Sequence, residues 1–324
     1  MTHSVLLPAA TDADPVAFAG RAADLGYDTV WLGELWGRDA FVTLAEIARE
    51  VDVGLGTAIA NVYSRTPAAL AQAAASVEEA ATGRVRLGLG TSTPKAITDL
   101  HGLDFEHPAR RLHETAELAG RFLASEGPVS YDGECFRVRD FPGLETDVPV
   151  YVAALGSATR RATGRVADGW IPHNVPFDRL PDAFETIATA ARERGRDPEA
   201  ITVAPYVPSA VSDAPAAARD AVRGHLAYYV GSGEGYRRAV GAAFPEEASE
   251  IASAWRDGER DTAKAAVTDE MVAALGVAGD PAGAREQFAA VASNPVVDEP
   301  IVVVPSNAPG LAAETIEALA PSSQ

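Results

Sequence analysis

The sequence predicts a (β/α)8 barrel, an eight-stranded parallel sheet closed on itself and ringed by helices. Two observations carry this. Eight short runs rich in β-branched residues alternate with amphipathic helical segments along all 324 residues, and such alternation implies parallel strands joined by helical crossovers. No linker or internal repeat interrupts the chain, and the length suits a barrel kept as one domain, 1–324. A doubly wound open sheet is the alternative that shares the alternation.

Residues 4–7 read as the first strand. Asp14 and Pro15 then supply an N-cap and a proline at the first helical position, Val16, Ala19 and Ala23 follow at helical spacing, and Gly26 ends the helix. Residues 29–33 are the second strand, 41–51 a helix and 53–60 the third strand. Thr66-Pro67 opens a helix that runs to Gly83; 85–89 is the fourth strand and 108–125 its helix. Residues 129–138 break the rhythm, alternating with period two around Asp132-Gly133. That is a hairpin signal, an insertion before the fifth strand at 150–154. Helix 158–166, strand 169–172, helix 180–194 and strand 201–207 follow. An alanine-rich helical region, 214–275, is a second insertion, broken at 231–235 and at Pro245. Helix 281–293, the eighth strand at 300–304 and a closing helix at 311–319 complete the chain.

Composition narrows the partners. The formal charge is −19, and only Lys95 and Lys264 among the 27 basic residues are lysines. Such a chain has no general attraction for nucleic acid or an anionic membrane. No apolar run reaches the roughly 18 residues of a membrane span, and residues 1–10 lack a signal-peptide pattern. Cys135 is the single cysteine, so no intrachain disulfide forms, and a reducing cytoplasm is the expected setting. The acidic excess with few lysines reads as a halophilic surface, because self-repulsion is screened within about 3 Å at about 1 M salt. The thermal midpoint is therefore expected to rise between about 0.1 and about 3 M KCl. A flat or falling midpoint in that series would remove the halophilic reading.

Barrel active sites lie at the C-terminal ends of the strands. That rule selects Glu34, Ala58, Ile59, Asn61, Gly90, Thr91, Ser92, the turn Ala154-Leu155-Gly156-Ser157-Ala158, His173 and Tyr206. In the turn a strand ends, a glycine allows an unusual backbone angle, and Ser157 is a good N-cap. Free N–H groups at such a helix start suit a phosphate. Arg160 and Arg161 fall in the first turn, where they oppose the helix dipole unless an anion is bound. An ordinary turn with two solvated arginines is the plain alternative. Gly88 and Gly90 resemble part of a dinucleotide fingerprint but lack its third glycine. Glycines that let a flat ring approach the backbone fit better. Glu34, between Trp31 and Trp36, is the candidate catalytic acid, since a carboxyl among aromatic rings can stay protonated. His173 could hydrogen-bond a cofactor ring or phosphate. His101, His107 and His113 do not match metal-ligand spacing, so no metal is expected.

These residues resemble a known family. Tyr27-Asp28-Thr29-Val30-Trp31-Leu32 is similar to the second-strand signature of bacterial luciferase-like proteins. Thr66 to Gln72, followed by Gly83 to Gly90, is similar to their third helix and fourth strand. Val150 to Ala154 and Ala167-Asp168-Gly169-Trp170 match their fifth and sixth strands. Within the family the likeness is to the coenzyme F420-dependent oxidoreductases, including methylenetetrahydromethanopterin reductase. The resemblance implies a homodimer through helices 41–51 and 67–81, with F420 across the strand ends. It implies hydride transfer between the deazaflavin C5 and a small organic substrate, possibly a methylene-tetrahydropterin or folate. It places ring contacts on Glu34, Ala58, Ile59, Asn61, Thr91 and Ser92, phosphate contacts on Leu155 to Ala158, and a non-prolyl cis peptide at Ala58–Ile59. Three departures matter, and the first is Thr93, where some sugar-phosphate relatives have an acid after the fourth strand. The second strand ends in Glu34-Leu35 where many relatives have Asp-His, and the first-strand glutamate of the methanopterin reductases falls at Val5. An FMN-dependent monooxygenase and a non-catalytic flavin-binding relative are the alternatives.

Overall fold

The structure is a computed structural model that describes residues 2–8, 14–35, 37–81 and 84–321. Met1, Trp36 and the predicted helix end at Gly83 lie outside the described residues. From the N-terminus run β1 (Ser4–Leu6), α1 (Pro15–Asp24), β2 (Thr29–Leu32), α2 (Ala40–Glu50), β3 (Gly54–Thr57), β4 (Ala60–Asn61), α3 (Pro67–Ala80), β5 (Val85–Gly90) and α4 (Pro108–Ala124). The hairpin β6 (Val129–Asp132) and β7 (Arg137–Phe141) follows. Next come β8 (Val150–Val152), α5 (Ser157–Val166), β9 (Gly169–Trp170), α6 (Leu180–Arg192), β10 (Thr202–Val203) and β11 (Tyr206–Val211). The helical insertion comprises α7 (Pro215–Ser232), α8 (Glu234–Gly241), α9 (Pro245–Arg256), α10 (Arg260–Ala265) and α11 (Asp269–Leu275). β12 (Val277–Gly279), α12 (Pro281–Ala292), β13 (Ile301–Val303) and α13 (Ala312–Ala318) finish the chain. The helix starts follow capping chemistry. Asp14, Asp39, Thr66 and Asp280 each accept from backbone N–H groups two or three residues on, and Pro15, Pro67 and Pro281 open three of these helices.

The sheet runs β10-β9-β8-β5-β3-β2-β1-β13-β11, and these neighbours pair in parallel. β10 and β11 are two halves of the predicted seventh strand, so the barrel closes at that strand. The first half pairs with β9 and the second with β13. Between them the Ala204 N–H donates to the Trp170 carbonyl (2.8 Å), and the Ile301 N–H donates to the Pro205 carbonyl (2.9 Å). The ladder toward β9 continues past Pro205, where the Tyr206 N–H donates to the Pro172 carbonyl (2.9 Å), so the two ladders overlap at this strand. β12 was not foreseen. Its three residues close an alanine-rich helical run, too short for alternation to show, and they pair with β11 at the end of the strand path.

The third strand is split too. Gly56 pairs with Arg86, but Ala60 pairs with Leu89, so one extra residue is taken up between them. The Ala58–Ile59 peptide in this bulge is cis, as the family likeness implied. Thr57 fills the interrupted ladder with its side chain. Its hydroxyl donates to the Gly88 carbonyl (2.8 Å) and accepts from the Gly88 N–H (2.9 Å). Gly88 must be glycine here, since a Cβ would lie 1.9 Å from the Thr57 carbonyl oxygen.

The main core packs the helix ring on the outside of the sheet. A smaller cluster that includes Trp31, Tyr151, Ile171, Ile301 and Val303 fills the barrel interior, and a third lies beneath α7 to α11. The N-terminal mouth of the barrel is closed by a polar network. The buried Glu299 carboxylate accepts from the Ser4 hydroxyl (2.5 Å) and the Trp31 indole (3.2 Å), with Arg86 Nε 3.6 Å away. Arg86 also donates to Thr29 Oγ1 (2.8 Å).

The hairpin's turn differs from the expected Asp132-Gly133 pair. Asp132 still pairs with Arg137, and Gly133 to Phe136 form a four-residue loop. Glu114, buried on α4, explains the loop: its carboxylate accepts from the N–H groups of Glu134, Cys135 and Phe136 and from Arg110. Burial alone would raise its pKa, but these donors hold it below the ordinary glutamate value.

Candidate functional site

The strand ends gather most of the residues singled out above. Glu34 follows β2, Ala58 and Ile59 form the bulge, and Asn61 lies on β4. Gly90, Thr91 and Ser92 end β5, Ala154 to Ala158 link β8 to α5, and His173 follows β9. Ile59 packs over Gly90, where a Cβ would meet its side chain at 2.8 Å. Asn61 is buried, and its Oδ1 accepts from the N–H groups of Tyr63 (3.0 Å) and Ser64 (2.8 Å). Asn61 therefore shapes its own turn, with its amide nitrogen 3.4 Å from His101 Nε2. Ser92 has a left-handed backbone, φ 57°.

Glu34 is not the isolated acid that its aromatic neighbours suggested. Arg65 clamps it with two hydrogen bonds (2.5 and 2.7 Å) and also reaches Asp39 (2.5 Å). The Ala40 N–H at the start of α2 donates to the same carboxylate (3.3 Å). Glu34 thus sits in a network of charged and backbone donors rather than in an apolar pocket. Trp36, the other proposed neighbour, lies outside the described residues.

The start of α5 also corrects the sequence reading. The N-cap is Gly156, not Ser157, and no side chain caps the helix. Gly156 has an ordinary φ of −81°, and a Cβ there would meet only Thr159 Oγ1 at 3.9 Å. The fold therefore does not demand glycine at 156. Gly156, Ser157 and Ala158 are exposed, and the first turn holds no acidic residue. Arg160 lies 5.9 Å from the centre of the Trp170 ring, with its Nε buried and unpartnered. Burial lowers the pKa of its guanidinium.

His173 stands at the centre of an aromatic cluster that sequence reasoning largely missed. Its ring centre lies 4.9 Å from Tyr206, 4.3 Å from Tyr229, and 5.3 Å from both His225 and Tyr236. His173 Nε2 is 3.1 Å from His225 Nε2. Burial pushes His225 down to about 3, and burial together with His225 holds His173 well below the ordinary histidine value. Both rings are thus neutral. The Tyr206 hydroxyl crosses to the bulge and donates to the Ala58 carbonyl. Burial pushes the Tyr236 hydroxyl up to about 12. The neighbouring Gly235 lies against Leu155, whose Cδ1 would sit 3.8 Å from a Cβ there. α8 thus joins the aromatic cluster to the turn before α5. His225 and Tyr229 share one face of α7 at a spacing of four residues, and that spacing inside an alanine-rich helix was the available signal. Next to His173, Asn174 is buried in a left-handed conformation, φ 56°, and neither side-chain polar atom has a partner.

A parallel barrel with polar and aromatic residues at its strand ends and an uncapped helix start beside them is the architecture of a cofactor-dependent barrel protein. The family described as luciferase-like monooxygenase matches residues 5–299, and the chain belongs to it. Among particular relatives, the chain is 28% identical over 300 residues to Mycobacterium tuberculosis Rv3520c, whose name assigns it provisionally to the coenzyme F420-dependent oxidoreductases. That match covers 83% of this chain and 84% of the relative. The 5,10-methylenetetrahydromethanopterin reductase of Methanolobus tindarius is 29% identical over 280 residues, with the same shares covered. The structure of the coenzyme F420-dependent tetrahydromethanopterin reductase of Methanopyrus kandleri superposes with a TM-score of 0.81 at 24% identity, covering 98% of this chain and 97% of that one. That likeness carries the barrel fold.

Proposed function

We propose that this protein is a coenzyme F420-dependent oxidoreductase acting on a small organic substrate. The observation that carries the reading is the exposed, uncapped start of α5 at the strand ends, beside a ring-lined wall. The name of the Mycobacterium tuberculosis relative favours F420 over FMN. When bound, F420 supplies a hydride acceptor or donor at C5. The residues present fit such a group. Backbone N–H groups of Gly156, Ser157 and Ala158 would hold its phosphate, with Leu155 beside them. Ala58, Ile59, Gly90, Thr91, Ser92 and His173 would hold its ring, with Ala154 buried in the main core behind them. The unpartnered buried amide of Asn174 offers one donor and one acceptor, which suits the lactam edge of a flat heteroaromatic ring. Glu34, the candidate catalytic acid, is paired with Arg65 beside these residues. A methylene-tetrahydropterin or folate substrate draws support from the reductase relatives, and Val5 in place of their first-strand glutamate weighs against it.

The test is reconstitution of the purified protein with F420 and, separately, with FMN, followed by absorbance of the bound fraction after desalting. F420 is expected to be retained and FMN lost. Tight FMN binding with no retained F420 would favour the monooxygenase reading instead, and retention of neither would point to a relative without cofactor.

We propose further that the protein is a homodimer through α2 and α3. Val42 on α2 is 60% exposed, and a shallow cavity of about 670 Å³ runs beside Gln72, Ala75, Ser76 and Glu79 of α3. Light scattering should give twice the 33.7 kDa chain mass, and a monomer at working concentration would exclude the dimer.

A further inference from the structure

We propose that His173 and His225 form a neutral dyad in which His225 sets the tautomer of His173, and thereby whether His173 offers a ligand a hydrogen-bond donor or an acceptor. The Nε2 atoms of the two rings lie 3.1 Å apart, a hydrogen-bond distance that two neutral rings satisfy only with opposed tautomers. Two Nε2–H groups would clash, and two bare Nε2 lone pairs would repel. One ring must carry its proton on Nε2 and the other on Nδ1. If His225 is the Nε2–H donor, His173 carries its proton on Nδ1 and donates there. If His173 is the donor, its Nδ1 is a bare acceptor. A ligand that selects one face of His173 therefore selects the state of His225 as well.

The surroundings keep the pair in this form. Both side chains are buried, at 6% and 5% exposure. The groups packed on them are aromatic and uncharged: Tyr206, Tyr229 and Tyr236 on His173, and Tyr229 on His225. The Tyr206 hydroxyl donates to the Ala58 carbonyl, and the hydrogen-bond distance at His173 Nε2 is to His225 Nε2. Tyr229 touches both rings, and Tyr236 leads through Gly235 to the turn before α5. His225 is thus a positioning residue on α7 that acts through His173. The ligand class is a flat heteroaromatic lactam, whose carbonyl oxygens and ring N–H groups ask for opposite partners. The inference rests on the reading that the strand ends hold such a cofactor.

The experiment uses the full chain labelled with 15N-histidine. Long-range proton–nitrogen correlation spectra are recorded without cofactor from about pH 5 to about pH 8, the range where an ordinary histidine titrates. One ring of the pair is expected to be protonated on Nε2 and the other on Nδ1, with no titration across the range. Two rings of the same tautomer, or ordinary titration of either, would overturn the dyad with no variant needed. His225→Gln keeps a side chain that can meet His173 Nε2 as donor or acceptor, so a hydrogen bond to His173 should survive. His225→Phe should leave His173 as a mixture of tautomers and weaken F420 binding about tenfold, the worth of one hydrogen bond, while the Gln variant stays within about threefold. Unchanged His173 tautomer and F420 affinity in His225→Phe would overturn the positioning role. If the unsubstituted protein shows the opposed tautomers but binds no F420, the cofactor reading fails and the dyad stands.

Discussion

Replacing Glu299 with alanine is expected to cost about 1–3 kcal/mol of folding stability, because the buried Ser4 hydroxyl and Trp31 indole lose their shared acceptor. Glu299 is 2% exposed and meets Ser4, Trp31 and Arg86 at the N-terminal mouth of the barrel. Without it the Arg86 side chain, 23% exposed, keeps only Thr29 among these polar partners. The Ser4 hydroxyl and the Trp31 indole lose their acceptor as well. Glu299→Gln keeps an acceptor oxygen and should cost less than Glu299→Ala. Urea titration should show a lower midpoint at unchanged slope for both variants. Cofactor affinity should stay at the unsubstituted value, because the network lies at the opposite end of the barrel from the strand ends. A loss below about 0.5 kcal/mol in Glu299→Ala, the scale of an ordinary surface change, would show that the network does not hold the barrel.

Gly156→Val is expected to weaken F420 binding by about tenfold or more while the fold survives. A Cβ at 156 meets nothing closer than Thr159 Oγ1 at 3.9 Å, so the protein itself has room for one. Valine is a poor N-cap relative to glycine, which costs about 1 kcal/mol or less at this position. What valine does is place two methyl groups over the N–H groups of Ser157 and Ala158, where an anion would have to approach. Gly156→Ala, with one smaller carbon, should fall between. Fluorescence titration gives the dissociation constants, and a melting curve for each variant separates binding from folding. An unchanged dissociation constant in a folded Gly156→Val protein would move the phosphate elsewhere.

The barrel was legible because its signals are local. β-branched runs, Asp or Thr caps and prolines at helix starts mark most elements within a few residues, as at Asp14-Pro15, Thr66-Pro67 and Asp280-Pro281. Long-range features did not show. The break in the seventh strand depends on which neighbour each half meets, and the ladder order alone reveals that. The carboxylate that accepts from Ser4 lies 295 residues away, so nothing near either residue announces the network. The candidate site was legible at the strand ends and invisible on the helices. Leu155 to Ala158 and His173 follow from the rule that strand ends carry the chemistry, whereas His225, Tyr229 and Tyr236 arrive from an insertion that reads as ordinary amphipathic helix. The pairing of Glu34 was not legible, because its partner Arg65 lies 31 residues on.

The Thr57–Gly88 contact limits how this sequence can drift. One hydroxyl does the work of a peptide group, giving and receiving a hydrogen bond with the same residue. Valine has threonine's shape but would strand a buried N–H and a buried carbonyl together, a loss of about 1–3 kcal/mol for each. Serine keeps both bonds, so of all the replacements at 57 it is the single conservative step. At 88 there is no such step, since even one added carbon overlaps the backbone of 57. The two positions form a locked pair. Neither can be traded against the other by compensation, because enlarging 88 would require the chain at 57 to move while its hydroxyl must stay. Any descendant that keeps the bulge under Ile59 inherits the pair almost unchanged.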